Sequence, residues 1–450
     1  MDQSLRGFLN TLKNESGELI IVDREVNPVF EIPGIIEKCI SHDKNAAFIF
    51  NKVTGSSLPL VSNIFASRKR IALALGVKEE ELNATFRMRE DKRLKPEMVS
   101  SGSVQEVLWE GEEVDLSMLP IVTHHEKDGG PYITGGVMVM KDPETGIRNA
   151  GMYRHQQKGK NRLGVHFAEV SHSHYIFGKY KKLKRPMPVA ITIGAHPLFY
   201  LGCLSFVPIG IDEYEVVGGL MGEPLRLVKA KTVDLEVPAE AEIVIEGEID
   251  PYYEEREGPF GEFTRVYGRE MMNPIVSVKA ITLRRDAYYQ DVFSGALEQQ
   301  LLGGTPRLSY IYKMVRTACP TICDVYMPPS GNCRFICYLA ITKRLEGEAK
   351  NAICAVFATD PFVKYVVAVD DDVNIFDNDA ILRALANRLV PKDNVFLVPE
   401  AKGSPLDPTA VKGFLVTKIG IDATKPLSGF REEVGIPGIE EIDLSLLGIL

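Results

Sequence analysis

PVAITIGA (residues 188–195) is one of the apolar stretches that decide how the middle of this chain folds. The others are YITGGVMVM (132–140), AEIVIEGEI (241–249) and PIVSVKAITLRR (274–285). All are short, rich in β-branched residues and bounded or interrupted by glycine or proline, which is the pattern of β-strands. Helical patterns are sparse between Val114 and Leu297, the clearest being Tyr175–Leu183 and one that opens near Glu213. A series of short strands predicts a barrel or a sandwich here.

Helix and strand patterns alternate on both sides of this central region. Before it, the strand patterns lie at 18–22 and 46–53 and the helical patterns at 32–40 and 67–75. After it, the strand patterns lie at 321–327, 334–341 and 363–370 and the helical patterns at 308–318, 346–357 and 377–389. Such alternation predicts α/β layers, so we expect a multidomain chain of the α/β and α+β classes. Its predicted parts are an N-terminal α/β region at 1–110, a central domain at 111–305 and a C-terminal α/β domain at 306–450, with the polar stretch 86–103 between the first two.

The composition indicates a folded protein without a membrane span. Hydrophobic residues make up 45% and charged residues 25% of the 450 residues, as in ordinary globular proteins. The net charge of -9 and the shortness of the basic runs at 158–162 and 179–185 argue against broad nucleic-acid binding. No stretch reaches the ~20 apolar residues of a membrane span, and residues 1–14 predict an amphipathic helix rather than a signal peptide. We therefore expect a cytoplasmic protein.

The common catalytic and metal motifs give no function here. The chain has no P-loop, no glycine-rich dinucleotide fingerprint and no Gly-x-Ser-x-Gly elbow. Two cysteine pairs, Cys319/Cys323 and Cys333/Cys337, have a spacing that resembles the two halves of a zinc site. The second pair falls in a predicted strand, where residues four apart lie ~13 Å from each other and could not both bind one ion. Seven cysteines without a secretion signal also argue against a disulfide framework.

EEREGPFGEFTR (254–265) is the most unusual segment of the chain. It places Glu257 and Glu262 on either side of a Gly-Pro-Phe-Gly turn. Glycine and proline set backbone angles that few other residues accept, so a turn of this kind can aim both carboxylates at one point. Paired carboxylates beside a cation can separate their pKa values, leaving one ionised and the other able to carry a proton.

A second group of polar residues could bind a metal ion or an anion. Asn149 and Arg154 lie five residues apart, and three histidines, His166, His172 and His174, follow them closely. Arginine suits a carboxylate or a phosphate, whereas asparagine and histidine can ligate metals. Asp212 and Glu213 stand at a predicted helix start, where acids often only meet the helix dipole, but one carboxylate would complete a ligand set for Mn²⁺ or Mg²⁺. Spacing alone does not select one histidine.

Several motifs in one order resemble the UbiD family of reversible decarboxylases. They are NAGMYR (149–154), SH (171–172), PIGIDEYEVVGGLMGEPL (208–225), EGPFGEF (257–263), LLGGTPR (301–307) and VKYVVAVDDDVNIFD (363–377). The resemblance runs from about Val114 to Asp377 and is looser outside that span. It implies a flavin-reductase-like split β-barrel as the central cofactor domain.

The resemblance also implies prenylated FMN, held through its phosphate by Mn²⁺ (or Mg²⁺) and K⁺. The implied metal ligands are Asn149, His172 and Glu213, and the residues implied to contact the cofactor are these three with Thr134, Met152, Arg154 and Lys364. Family members use an Arg-Glu-Glu triad, which corresponds here to Arg154, Glu257 and Glu262. We assign Arg154 to the substrate carboxylate and the flavin, Glu257 to holding Arg154, and Glu262 to protonating the carbon that loses CO₂.

The predicted function is reversible, non-oxidative decarboxylation of an aromatic, heteroaromatic or α,β-unsaturated acid. Gln299 and Arg307, eight residues apart across a predicted Gly-Gly turn, are candidate substrate residues. Relatives acting on furan dicarboxylate carry a histidine and an arginine at a similar spacing; here Gln299 replaces the histidine, but Arg307 could still bind a second acidic group, so a dicarboxylic acid is an alternative substrate. A flavin carrier without catalysis and a metal-dependent hydrolase are the other functional alternatives. A flavin prenyltransferase is the expected supplier of cofactor, and the apolar end GIEEIDLSLLGIL (438–450) suggests a homodimer or homohexamer.

Overall fold

A computed structural model describes residues 1–431, 434, 436–439, 442–443 and 446. Most of the apolar segment 438–450 lies outside the described residues, so its role in assembly stays a prediction. The elements of the N-terminal region are helices α1 (Leu5–Lys13), α2 (Glu31–Ile40), α3 (Arg68–Leu75) and α4 (Leu82–Glu90) and strands β1 (Leu19–Val26), β2 (Ala47–Val53), β3 (Leu60–Ser62), β4 (Glu97–Met98) and β5 (Val107–Glu110).

The N-terminal elements form where the periodicity places them. Helix α1 buries Leu5, Phe8, Leu9 and Leu12 on one side, and the Ser4 hydroxyl caps its first turn. Strand β1 pairs in parallel with β2, and β2 pairs antiparallel with β3. The polar stretch 86–103 was expected to separate two domains, but it begins inside α4, where Phe86 is buried. The stretch thus starts with an apolar helix position among charged neighbours, and its role as a boundary between two domains stays a prediction.

The central region is mostly strands, as its sequence predicts. Its strands are β6 (Tyr132–Ile133), β7 (Gly136–Lys141), β8 (Arg148–Met152), β9 (His155–Gln157), β10 (Arg162–Val165), β11 (Met187–Ile193), β12 (Arg226–Lys229), β13 (Glu236–Pro238), β14 (Ile243–Glu257), β15 (Met271–Leu283) and β16 (Tyr289–Gln290). Its helices are α5 (His172–Leu183), α6 (Pro197–Cys203) and α7 (Glu213–Met221). Helix α5 begins three residues before the predicted Tyr175, and α6 had no predicted counterpart.

One large sheet holds most of these strands, in the order β6-β9-β10-β15-β14-β11-β7-β8, with β5 added beside β15. Strands β12 and β13 form a small sheet with β4, and β16 extends the N-terminal sheet beside β3. Within the described residues the large sheet is a path with two ends, so the split β-barrel stays a prediction. The long antiparallel pair β14 and β15 matters most for function, because its connection carries the Gly-Pro-Phe-Gly turn.

The C-terminal region is a second α/β layer. Its elements are helices α8 (Leu297–Ala318), α9 (Glu348–Thr359), α10 (Asn378–Arg388) and α11 (Pro391–Asn394) and strands β17 (Ile322–Tyr326), β18 (Ile336–Ile341), β19 (Tyr365–Asp370), β20 (Val395–Lys402) and β21 (Leu415–Asp422). The sheet order is β17-β18-β19-β21-β20. Helix α8 runs across the predicted domain boundary between residues 305 and 306.

The three regions share buried apolar contacts. One core cluster joins α1 of the N-terminal region, α7 of the central region, and α9 and β18 of the C-terminal region. The separate sheets of the three regions and the helices between their strands confirm the coarse expectation of a mixed α/β chain. No helix in the described parts of the chain is both long enough and apolar enough to span a bilayer.

Candidate active site

The turn between β14 and the following loop places two carboxylates around one arginine. Glu257 is the last residue of β14, and Glu262 follows a turn in which Gly258 has a φ of 101°. Only glycine adopts that angle readily, which explains the residue choice at the start of the turn. Gly261 is equally constrained, because a Cβ atom there would lie 2.3 Å from Nδ1 of His125.

Arg154, just after β8, joins both carboxylates. Its Nε donates to Oε1 of Glu257 at 3.0 Å and its Nη2 donates to Oε2 at 2.9 Å, a bidentate pair. Its Nη1 donates to Oε1 of Glu262. Glu257 and Glu262 are buried, and Arg154 lies over the ring of Phe260, 5.0 Å from its centroid. The structure thus brings together the residues predicted as the catalytic triad.

The two carboxylates differ in their tendency to hold a proton. Burial favours the neutral form of Glu257, but the hydrogen bonds and charge of Arg154 outweigh burial and lower the pKa of Glu257. Burial dominates at Glu262 and raises its pKa, although Arg154 opposes the shift. One carboxylate therefore stays ionised to hold the arginine, while its neighbour is suited to carry a proton.

Asn273, which the sequence did not single out, secures Glu257 from β15. Its Nδ2 donates to Oε2 of Glu257 at 2.9 Å, and its Oδ1 lies 3.4 Å from Nδ1 of His166. Asn273 therefore links His166 to Glu257 of the triad. No sequence pattern identified Asn273, because asparagine inside a strand has no recurrent functional meaning.

Asn149 and Glu213, both predicted as metal ligands, form a second polar pair. Nδ2 of Asn149 donates to Oε1 of Glu213 at 2.8 Å, and the backbone N–H of Ala150 donates to Oε2 at 2.8 Å. Burial raises the pKa of Glu213 to about 8. The buried Oδ1 of Asn149 has no hydrogen-bond partner among the described residues. An orphaned amide oxygen beside a carboxylate fits a hard divalent cation.

The remaining metal candidates are less closely joined. His172 opens α5 and is half-buried, with a pKa lowered by burial, and within the described residues no hydrogen bond links it to Asn149 or Glu213. His174 is exposed. Asp212 caps α7, accepting from the N–H of Tyr214 at 3.0 Å, as the alternative of a helix-start acid predicts. His172 as a ligand stays a prediction.

Thr134 leads to a buried network that the sequence did not reveal. Its hydroxyl donates to Oδ1 of Asp291 at 2.8 Å, and Nε2 of His124 lies 3.1 Å from Oδ2 of the same aspartate. Asp291 also accepts from the Ser62 hydroxyl at 3.1 Å, which ties the central region to the N-terminal sheet. Met152 ends β8 and is half-buried. Contacts of Thr134 and Met152 with a cofactor stay predictions.

Lys364, predicted to contact the cofactor, has partners within its own domain. Its Nζ lies 3.1 Å from Oδ2 of Asp407 and donates to Oγ1 of Thr409 at 2.6 Å. Neither partner belongs to the groups around Arg154 or Asn149. Contact of Lys364 with a cofactor stays a prediction.

The predicted Gly-Gly turn between Gln299 and Arg307 is wrong. Both residues lie in α8, about two turns apart, and Gly303 and Gly304 are helical. The glycines make room for Arg334, because a Cβ atom on Gly303 would lie 2.0 Å from its Nη2. Glycine is here a packing choice rather than a turn signal. Gln299 accepts from the N–H of Gly295 at 2.8 Å and is thus used as a local cap.

Arg307 and Arg334 form a buried cationic group. Nη1 of Arg307 donates to Oδ2 of Asp360, whereas its buried Nε has no hydrogen-bond partner among the described residues. Nη1 of Arg334 donates only to the carbonyls of Gln300 and Cys333, at 3.3 and 3.1 Å. Burial lowers the pKa of Arg334 to about 9, and the charge of Arg307 adds to the shift. Arg334 stacks on Phe263, the residue after Glu262, so this group adjoins the triad.

Sequence reasoning missed Arg334 because it was considered only as part of a predicted strand between two cysteines. The available signal was its position: a charged residue inside the apolar run NCRFICYLAI requires a partner when buried. The cysteines form no disulfide, and the described residues contain no group of three or more histidine, cysteine, aspartate or glutamate side chains placed to hold a metal; the pair of Asn149 and Glu213 contains only one such side chain.

Comparison with known proteins places the whole chain in one family. Family models of 3-octaprenyl-4-hydroxybenzoate carboxy-lyase match its N-terminal domain over residues 10–87, its Rift-related domain over 97–297 and its C-terminal domain over 300–423. The anhydromevalonate phosphate decarboxylase of Methanothermobacter thermautotrophicus is 35% identical over 424 residues, which are 94% of this chain and 97% of that protein.

Solved structures agree with the family models. The UbiD-class enzyme HmfF from Pelotomaculum thermopropionicum, in complex with FMN, has a TM-score of 0.92 and 39% identity over 98% of this chain and 99% of its own. An evolved dimeric form of HmfF in complex with prFMN has a TM-score of 0.90 and 37% identity over 99% of both chains. The chain therefore belongs to the UbiD family and is a decarboxylase of the carboxy-lyase class.

Proposed function

We propose that this protein catalyses the reversible, non-oxidative decarboxylation of an unsaturated acid that carries a second anionic group. The observation that supports the chemistry best is the arrangement of Glu257 and Glu262 around Arg154, with their pKa values moved in opposite directions. A non-catalytic flavin carrier, the main alternative, would have no use for a carboxylic acid poised to donate a proton.

Each member of the triad has one task. Arg154 presents its guanidinium to the substrate carboxylate, and Glu257 fixes it through the bidentate pair at 3.0 and 2.9 Å. Glu262 delivers the proton to the carbon that has lost CO₂, and its burial raises its pKa, which favours the protonated form. In the carboxylation direction, the same carboxylate takes the proton back.

The cofactors in this proposal are prenylated FMN, Mn²⁺ or Mg²⁺, and K⁺. Prenylated FMN, when bound, supplies the electron sink that loss of CO₂ from an unsaturated carbon requires. Asn149 and Glu213 would hold the divalent ion, with His172 as the third protein ligand, since the orphaned Oδ1 of Asn149 lacks a partner within the described chain. A relative, HmfF, is known in complex with prFMN.

The buried cations narrow the range of possible substrates. Arg307 and Arg334 contribute two positive charges, and Asp360 is the one carboxylate that pairs with Arg307 in the described structure. An excess positive charge beside the triad favours a substrate with a phosphate or a second carboxylate. The curated relative is named for a phosphorylated acid, so we infer a phosphorylated enoic acid first and a furan-dicarboxylate-like diacid second.

A paired-substrate assay tests this function. Protein co-produced with a flavin prenyltransferase is offered an enoic acid phosphate and its dephosphorylated alcohol, and furan-2,5-dicarboxylate and furan-2-carboxylate. We expect CO₂ release and deuterium entry from D₂O with at least one doubly anionic acid, and a kcat/KM at least about tenfold lower for its partner. Flavin-loaded protein that turns over neither pair, nor simple aromatic acids, would contradict the proposal.

A further inference from the structure

The segment 125–129 packs beneath the turn that carries Glu262. It contains no member of the triad and none of the predicted metal ligands. Its central residue is Asp128, whose side chain is fully buried. Oδ1 of Asp128 accepts from the N–H of Gly261 at 2.8 Å, and Oδ2 accepts from the N–H of His125 at 2.9 Å. Asp128 thus binds the residue next to Glu262 on one side and its own segment on the other.

Neighbouring contacts show that the fit between segment and turn is close. The N–H of Gly129 donates to the carbonyl of Pro259 at 2.8 Å, and a Cβ atom on Gly129 would lie 2.2 Å from the carbonyl oxygen of Gly258. Nδ1 of His125 lies 3.4 Å from Oδ2 of Asp128. The turn is therefore held against this segment by backbone contacts that tolerate no side chain at position 129.

The charge of Asp128 acts on Glu262. The charged groups that face Glu262 are Arg154 after β8, Glu257 at the end of β14 and Asp128 in the segment before β6. Arg154 favours the ionised form of Glu262, whereas Glu257 and Asp128 favour the protonated form. Asp128 itself stays ionised, because its hydrogen bonds from His125 and Gly261 outweigh burial and lower its pKa.

We propose that Asp128 is a positioning residue that fixes the turn bearing Glu262 and holds a permanent negative charge beside it. The proposal rests on the proposed function, since it concerns the proton donor of that reaction. The backbone bond to Gly261 sets where the Glu262 carboxyl points, and the charge keeps that carboxyl protonated at higher pH than Arg154 alone would allow.

Two substitutions separate the effects. Asp128→Asn keeps an oxygen for the Gly261 N–H but removes the charge and the acceptor of the His125 N–H, whereas Asp128→Ala removes all three. Infrared titration of the cofactor-loaded protein follows the Glu262 carboxyl band, identified by its loss in Glu262→Gln. We expect the midpoint of that band to move to lower pH in Asp128→Asn, because Glu262 loses a neighbouring negative charge. Asp142→Asn, which removes a buried carboxylate paired with Lys179, is the matched control and should leave the midpoint unchanged.

Turnover gives the second readout. In Asp128→Asn, the alkaline limb of the kcat profile should shift to lower pH together with the infrared midpoint. In Asp128→Ala, kcat should fall about 100-fold at every pH because the Glu262 carboxyl is misplaced. An unchanged infrared midpoint in Asp128→Asn would overturn the inference whether or not a substrate is known. Failure of the proposed function looks different: the wild type would then release no CO₂ while the midpoint still moved.

Discussion

Two buried guanidinium sites lie close together in this protein, and their charge balance is opposite. At the first, Arg154 faces two carboxylates, Glu257 and Glu262. At the second, Asp360 pairs with Arg307, whereas Nη1 of Arg334 donates to backbone carbonyls and, among the described residues, Arg334 forms no ion pair with a carboxylate. Excess carboxylate at a buried cation forces one acid to keep its proton, whereas excess cation leaves a place for an anion from outside. The first arrangement suits proton transfer and the second suits recognition of a substrate.

The largest effect should follow from removing the cation of the first site. Arg154→Ala leaves Glu257 buried without its bidentate partner, so we expect the free energy of unfolding to fall by about 3 kcal/mol and turnover by at least about 1000-fold. Chemical denaturation and CO₂ release measure these changes. Arg162→Ala is the control, since Arg162 pairs with Glu255 on a more exposed part of the same sheet and should change either quantity little. Equal losses in Arg154→Ala and Arg162→Ala would show that Arg154 contributes no more than an ordinary ion pair of the sheet.

The second site should respond in the opposite sense. Arg334→Met removes a buried charge that burial itself disfavours, so we expect the ligand-free protein to gain about 1 kcal/mol in unfolding free energy. The same variant should lose about 10–100-fold of its preference for a doubly anionic substrate over its singly charged partner. Arg87→Met, at a cation stacked on Tyr312 and paired with Asp324, is the control. If Arg334→Met kept the preference for the doubly anionic substrate, the second site would not be the one that recognises the second anionic group.

The pH dependence should reveal the proton on the first site. The pKa of Glu262 is raised, so the donor form is fully present at low pH and is lost as pH rises through that value. The pKa of Glu257 is lowered, so it stays ionised across the same range. The decarboxylation rate should therefore fall on the alkaline side, which a pH profile of kcat measures. A rate that rises through this range would mean that Glu262 acts as a base in the forward direction.

A smaller effect concerns the glycines of α8. Gly303→Ala should push the Arg334 guanidinium aside, because the new Cβ would lie 2.0 Å from Nη2, and raise KM for the doubly anionic substrate about tenfold. Gly34→Ala in α2 is the matched control, with nothing within 4 Å of its Cβ, and should stabilise the protein by about 0.5 kcal/mol without changing KM. If Gly303→Ala left KM unchanged, as Gly34→Ala should, Gly303 would have no role in placing Arg334 for the substrate.

Much of the fold could be predicted from periodicity, and the exceptions have local causes. The alternation locates β2 and α3 within one residue at each end, whereas β1 continues four residues beyond its predicted end at residue 22. Gly303 and Gly304 were misinterpreted because glycine in sequence does not distinguish a turn from a close approach. The buried Phe86 shows the same limit, since the packing of α4 overrides the polar character of its neighbours.

The site was predictable only where motifs identify it. Glu257 and Glu262 flank one turn, but Arg154 lies 103 residues before Glu257, and its meeting with them was expected from the ordered family motifs rather than from spacing. Asp128, Asn273 and Arg334 carry no motif, and their roles depend on contacts across the fold, at 2.8 Å to Gly261 for Asp128 and 2.9 Å to Glu257 for Asn273. Such contacts follow from tertiary packing, which one sequence does not specify.

The most direct test of the central claim is single-turnover decarboxylation in D₂O by wild-type and Glu262→Gln protein, both loaded with cofactor. Glu255→Gln, on the same strand as Glu257 but paired with Arg162, is the matched control. The account predicts CO₂ release with deuterium at the former carboxyl-bearing carbon in the wild type and the control, and deuterium entry slower by at least about 100-fold in Glu262→Gln. Deuterium entry at the wild-type rate in Glu262→Gln would contradict the assignment of the proton donor.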